Sequence, residues 1–411
     1  MIAMMYLYTE PYTCYFYKEN QILLYNTLDK KAVKMEVDET LRPIAEELVK
    51  EKIIPINDDV LKYPSISHFI HILRDSFNGD VLSIADGHAI PAIFHPIINN
   101  QRAFERLMKV DKINIDNQVM NYLEEVYVYV NGNGGKEAYP SFLQVPSYMY
   151  QTENIDGNSL VNWLDSIHDK QINQLNLLGG DVLTHPYYNE IFKVAKQKSH
   201  EIILHYRYDL FKAEYIQVLD EIDKLVLIIP MHFVSETVLK EKVSALQDCL
   251  NIQWLFLINS EDEYLHAEAL CEHYMIENHL FKPIFNGKNL SFFEDFIFMD
   301  ETEILGLQPT KREIYANQTI NRNEFGRITV LPNGDIYANP NKNRLGTIYE
   351  DRMHDIIFKE MNEGASWLNI RKEQPCCGCI YQWLCPSPSH YEDVIGKPNL
   401  CHVKHLNKGT I

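Results

Sequence analysis

Two hydrophobic periodicities divide the chain. Near its start, Thr13 to Tyr17 and Gln21 to Asn26 flank Lys18-Glu19-Asn20, which predicts a hairpin, and Ala32 to Val37 adds a third strand. Thr40 to Glu51 places Leu41, Ile44, Ala45 and Leu48 on one helical face, and Ser65 to Asp75 predicts a second helix. Pro91 to Phe94 reads as a short strand and Asn99 to Lys109 as a helix, so residues 1–120 form a small α+β module. From Glu125 the pattern changes. Six apolar strands follow, each with a helix after it: Val126 to Val130, Gln174 to Leu178, Glu201 to His205, Lys224 to Ile229, Gln253 to Ile258 and Phe281 to Phe285. The helices between them are read at Ser159 to Lys170, Tyr188 to Lys198, Leu210 to Glu221, Thr237 to Asn251 and Tyr264 to His279. Nearly continuous apolar strands alternating with helices require a parallel sheet covered on its faces. Six units over residues 121–308 suit an α/β fold built as an open, partial (β/α)6 barrel rather than a closed eight-unit one. Residues 309–411 open with a hairpin, Arg327 to Leu331 and Ile336 to Ala338 about Asn333-Gly334, and end in a cysteine-rich stretch.

Composition narrows the class. With 411 residues and 46% apolar content the chain can bury a sizeable core. The net charge of −19 argues against nucleic acid and anionic membranes as partners, and suits a basic peptide or simple solubility. The apolar runs are too short to span a bilayer, and the amino terminus has neither a basic segment nor a long apolar one. A reducing, cytoplasmic setting is expected, which also suits thiolate chemistry.

Five of the eight cysteines fall between Pro375 and Val403: Cys376, Cys377, Cys379, Cys385 and Cys401. Cys376-x2-Cys379-x5-Cys385 with a distant Cys401 is a ligand framework, because thiolates converging on one soft centre need a tight turn and a returning segment. Gly378, Pro386 and Pro388 suit a backbone folded around a centre. Iron–sulfur and structural zinc are both open, and the x5 spacing favours iron–sulfur, since a zinc ribbon repeats a short knuckle. Cys377 fits no position in the framework. Elsewhere, Asn131 to Tyr150 follows the first parallel strand and holds no cysteine, and none occurs between Cys14 and Cys249. Gly179-Gly180-Asp181 follows the second strand, where the glycines permit close backbone approach and Asp181 can accept from an ammonium; a tight turn explains the same residues. The histidines show no ligand spacing, and Cys249 and Cys271 read as core thiols.

The cysteine spacing resembles the second half of a SPASM domain, the C-terminal extension of many peptide-modifying radical SAM enzymes. The resemblance implies that Cys376, Cys379, Cys385 and Cys401 ligate an auxiliary 4Fe–4S cluster, with zinc the alternative. Ser389 and Asn339 stand where the other auxiliary cluster would need cysteines. A radical SAM enzyme carries Cys-x3-Cys-x2-Cys after the first strand, and Asn131 to Tyr150 cannot supply it. Without three convergent thiolates no open iron exists to chelate and cleave S-adenosylmethionine, so neither that cofactor nor a catalytic residue is expected. Gly179, Gly180 and Asp181 occupy the position of the GGE motif and would be a vestigial cofactor-binding site. The N-terminal module resembles the winged-helix-like elements that capture a leader peptide as an added strand. Taken together, the chain is similar to the pseudo-radical-SAM/SPASM proteins of GG-Bacteroidales peptide systems. Those are encoded beside double-glycine-leader peptides and an active radical SAM maturase. The resemblance implies a pseudoenzyme that binds the precursor peptide, the maturase or both. Two other readings stay open: an enzyme with non-radical chemistry at Asp181, His205, His232, Tyr148 and Tyr150 in the barrel mouth, and a zinc-stapled binding scaffold.

Overall fold

The structure, a computed structural model, describes residues 4–84, 119–132, 140–150, 153–246, 249, 251–363 and 366–403. The strand and helix expected between 91 and 109 lie outside the described residues.

The N-terminal region holds two three-stranded antiparallel sheets. The expected hairpin is β2 (Thr13–Lys18) and β3 (Gln21–Asn26), joined by β4 (Ala32–Glu36). Glu19 and Asn20 turn it with φ of 47° and 60°, the positive values a two-residue hairpin needs to match strand twist. The second sheet sets β1 (Met4–Thr9) between β5 (Ile53–Ile56) and β6 (Gly79–Ile84). Pro55 cannot donate to a central ladder, and β5 is an edge strand. Helices Arg42–Lys50 and Pro64–Asp75 close both sheets over one core of Leu7, Ile22, Leu24, Ala45, Phe69 and Leu73. Burial of side chains this size contributes about 1.5–3 kcal/mol each. The opposite face of the hairpin is buried as well: Cys14, Leu23 and Tyr25 pack on Ile304, Ile314, Ile380 and Leu384.

The six expected parallel strands are β7 (Glu125–Tyr129), β8 (Ile172–Leu178), β9 (Ser199–Arg207), β10 (Lys224–Pro230), β11 (Ile252–Ile258) and β12 (His279–Pro283). They lie side by side in chain order, with Val126 opposite Leu175, Leu175 opposite Ile202, and Leu204 opposite Leu225. Helices Gly157–Asp165, Tyr188–Lys198, Glu236–Leu246 and Glu261–Tyr274 make four of the crossovers. The crossover after β9 was expected to be an α-helix over Leu210 to Glu221 and is instead a 3-10 run, Ala213–Glu221. Its apolar residues Tyr215, Ile216, Val218 and Leu219 pack on the main core, but none is fully buried, so little tertiary packing is there to stabilise a full helix. On its other edge β7 pairs in parallel with β13 (Arg327–Val330), followed antiparallel by β14 (Asp335–Tyr337) and β15 (Gly346–Thr347), giving nine strands. At the expected hairpin turn Gly334 has φ 84°, and a Cβ there would lie 2.4 Å from the Tyr349 ring. Among the described residues no helix is long and apolar enough to cross a membrane.

Candidate functional site

The tail is folded by turns rather than by regular elements. Cys376–Gly378 is one 3-10 turn in which Cys379 N–H donates to Cys376 C=O at 3.0 Å, and Cys385 N–H donates to Tyr381 C=O at 3.1 Å. Side-chain amides link the tail to the preceding segment by holding carbonyls left over on either side. Asn317 Nδ2 donates to Trp383 and Cys385, Asn321 Nδ2 to Pro388, and Gln382 Nε2 to Arg371. The distant Cys401 is brought back by a parallel bridge to Met299, with His402 N–H donating to Met299 C=O at 3.0 Å.

The result is that Cys376, Cys379, Cys385 and Cys401 line one small cavity of about 20 Å³, together with Arg371, Gln382, Asn399 and apolar side chains. Cys376 and Cys379 are buried, Cys385 and Cys401 half-buried, and all are free thiols. Burial pushes the Cys385 thiol up; Arg371 opposes the rise, and Cys379, Cys401 and Cys376 add to it. Burial also raises Cys376, again against Arg371. Sequence reasoning missed two groups that lie beside these sulfurs. Arg371 Nη1 lies 3.8 Å from Cys376 Sγ while Nη2 is held by Glu392 at 2.7 Å, and Asn399 Nδ2 lies 2.9 Å from Cys401 Sγ. Cys377 does not line this cavity; its carbonyl accepts from Lys18 Nζ on the other side of the turn.

Four sulfurs with a cation and an amide donor beside them have the donor chemistry of a thiolate metal centre and its outer support. Sharing a cavity is a weaker condition than coordinating geometry. Among the described residues no group of three or more His, Cys, Asp or Glu side chains is set to hold a metal ion. The space takes about one water-sized sphere. A cubane is larger than that space and requires the thiols to spread.

The strand ends are built otherwise. Gly179 has φ 138° and sits so close to Asn131 that a Cβ would lie 2.2 Å from its carbonyl oxygen. Gly180 N–H donates to Asn131 Oδ1 at 3.0 Å, and Asn131 Nδ2 donates to the Asp181 carbonyl at 2.8 Å. These contacts account for Gly179 by packing. Burial raises the Asp181 carboxyl, against a weaker pull from Lys212, and its Oδ1 meets no partner among the described residues. Within residues 140–150, Val145 and Tyr148 pack over the sheet on Ile203, Val226, Ile228 and Leu257. His205 is buried against Asn176 Oδ1 at 2.9 Å, and burial holds its pKa down at about 3. His232 is exposed and stacks edge-on with Phe233, and Tyr150 Oη is 3.5 Å from Tyr148 Oη. No hydrogen bond joins Asp181 to His205 or His232 among the described residues. Asn339 and Ser389 have structural roles: Asn339 Nδ2 donates to Asp393 at 3.0 Å, and Ser389 caps helix His390–Ile395 with Glu392.

No family model matches the chain, and no curated protein matches its sequence. Among solved structures it is similar to SuiB of Streptococcus suis, both bound to S-adenosylmethionine and bound to the precursor peptide SuiA. Each comparison has a TM-score of 0.47 and 11% identity, covering 96% of this chain and 98% of that one. It is also similar to anSMEcpe with bound AdoMet and Cp18Cys peptide, at a TM-score of 0.46 and 11% identity over 67% of this chain and 95% of the other. These likenesses assign neither an activity nor a site to this chain.

Proposed function

We propose that the chain is a non-catalytic partner in the maturation of a ribosomally made peptide, binding the precursor, an active radical SAM maturase, or both. In this reading residues 121–308 form the partial barrel, residues 1–120 the recognition module, and residues 309–411 a SPASM-like domain with one cluster. Cys376, Cys379, Cys385 and Cys401 are its ligands. The observation that carries the reading is that four cysteines spread over 26 positions, Cys376 to Cys401, line one cavity beside Arg371 and Asn399. A bound 4Fe–4S cluster would staple the returning segment to the turn and could carry electrons. The chain's own residues supply the thiolates, a guanidinium near Cys376 and an amide donor to Cys401. With no cysteine in Asn131 to Tyr150, the chain does not start a radical reaction itself.

A second reading, a zinc-stapled binding scaffold, is favoured by one observation, the small volume of the thiol cavity. Anaerobic purification separates the two. Brown protein with iron and sulfide near four per chain supports the cluster, and colourless protein with one zinc supports the scaffold. Pull-down with the neighbouring precursor and maturase tests the partner role, and retention of neither defeats it. Among the described residues no hydrogen bond joins Asp181 to His205 or His232 as a nucleophile–base pair would need, so no observation favours non-radical catalysis.

A further inference from the structure

In the sheet β2–β3–β4, β2 pairs among the described residues only with β3 and is an edge there. The two-residue turn makes Lys18 and Gln21 a hydrogen-bonded pair, and exchange alternates from there, so Phe16 and Cys14 also bond to β3. The backbone N–H and C=O of Tyr15 and Tyr17 therefore point away from the sheet. They open on a cleft of about 620 Å³ lined by the whole of β2. One wall is the end of helix Arg42–Lys50 and the start of β5; the other carries Tyr315, Ile380 and Trp383.

The charge of this cleft is opposite to that of the protein. The chain carries −19 overall, yet among the described residues Lys18, Lys50, Lys52 and Lys372 line the cleft against one acid, Glu51. Lys52 is half-buried and donates to the Thr13 carbonyl at 2.8 Å, and no carboxylate pairs with it among the described residues. Burial holds its ammonium down at about 8. A desolvated cation without a counter-ion costs the protein alone and gains when an acid arrives.

We propose that this cleft binds an extended acidic peptide segment, which adds to the open edge of β2 as a fourth strand and sets a carboxylate against Lys52. The inference rests on the peptide-partner reading and deepens it by naming the edge and the charge of the occupant. Side chains of an added strand would alternate between the two walls, Leu48 and Val49 on one side, Tyr315 and Trp383 on the other. Cys379 and Gln382 line both the cleft and the thiol cavity, so the occupant lies beside the candidate metal centre.

The test uses the full chain and a fluorescein-labelled synthetic peptide alternating glutamate with leucine, with a lysine-for-glutamate peptide as control. Saturable binding of the acidic peptide alone is expected, with slowed amide exchange at Tyr15 and Tyr17. Lys52→Gln should weaken it about tenfold. Tyr17→Pro removes an outward N–H and leaves the β2–β3 ladder intact, and should abolish it. Equal binding of both peptides, or binding unchanged in both variants, overturns the inference. A pull-down of the precursor separates this from the wider reading. Precursor retained equally by wild type and both variants defeats the cleft and spares the partner role. Acidic peptide bound in the cleft by a chain that retains neither precursor nor maturase defeats the partner role and spares the cleft.

Discussion

At the carboxyl ends of β7 and β8 the chain closes on itself. Asn131 is wedged against Gly179 and Gly180, Val145 and Tyr148 plug the sheet face, and His205 is buried neutral against Asn176. In the tail, by contrast, an irregular loop is braced from outside by Asn317, Asn321 and Arg371 so that four thiols share an interior space. Parallel-sheet proteins ordinarily keep their chemistry at the strand ends. Here the described residues at that end pack on one another, and five of the eight cysteines lie between Cys376 and Cys401.

The largest effect should come from the tail. Cys385→Ser is expected to remove nearly all bound metal and to destabilise the C-terminal region, a loss on the order of several kcal/mol if metal binding is coupled to folding. Cys249→Ser should leave metal content unchanged. Metal analysis with thermal unfolding checks both, and equal metal loss in the two variants would break the contrast. At the strand ends the expected damage is to stability alone. Tyr148→Ala should cost about 3–5 kcal/mol by emptying a buried aromatic site, and Gly179→Ala about 1–3 kcal/mol through its positive φ and the clash with Asn131. Denaturant unfolding measures these. A drop in metal per folded chain in either variant would show that the regions are coupled.

A subtler change sharpens the tail itself. Asn399→Ala deletes the donor at Cys401 Sγ and should weaken metal binding about tenfold, as removing outer support typically does, with little loss of fold. Competition with a chelator reads it, and an unchanged affinity would leave Asn399 a structural residue only.

Much of this was legible in the residues, and the failures share a cause. The hairpin β2–β3 shows in its alternation, and the six strands show because each is a nearly unbroken apolar run. Sheet β5–β1–β6 escaped notice because β5 has four residues with a proline inside, and its partners are brought together only by tertiary packing. The cysteine framework was visible because ligand spacing is local, apart from the return to Cys401. Arg371 and Asn399 were not, since one guanidinium or one amide has no pattern until folding gives it a sulfur to face. The basic cleft is further still from sequence. It joins β2 to a tail more than 350 positions away, as in the contact of Lys18 with the Cys377 carbonyl, inside a chain whose total charge points the other way.

An effect confined to acid tests whether the strand end is packing or chemistry. Asn176 Oδ1 accepts from His205 Nε2–H, and Nδ1 is buried without a partner among the described residues. Burial holds the folded pKa near 3 against an ordinary 6.5. Between those values the unfolded chain binds a proton that the folded chain refuses, so unfolding free energy rises with pH in that window. The stabilising difference is present above pH 6.5 and lost as pH falls toward 3. One proton gives a slope of at most about 1.4 kcal/mol per pH unit. His205→Gln keeps a donor for Asn176 and removes the titration. Its stability should therefore fall less steeply than that of the wild type between pH 6.5 and 5, the difference between the two curves isolating this histidine from the carboxylates that titrate below. Parallel curves would mean that His205 takes up its proton in the folded state, as a reacting group would, and the strand end would then have to be reconsidered as a site of chemistry.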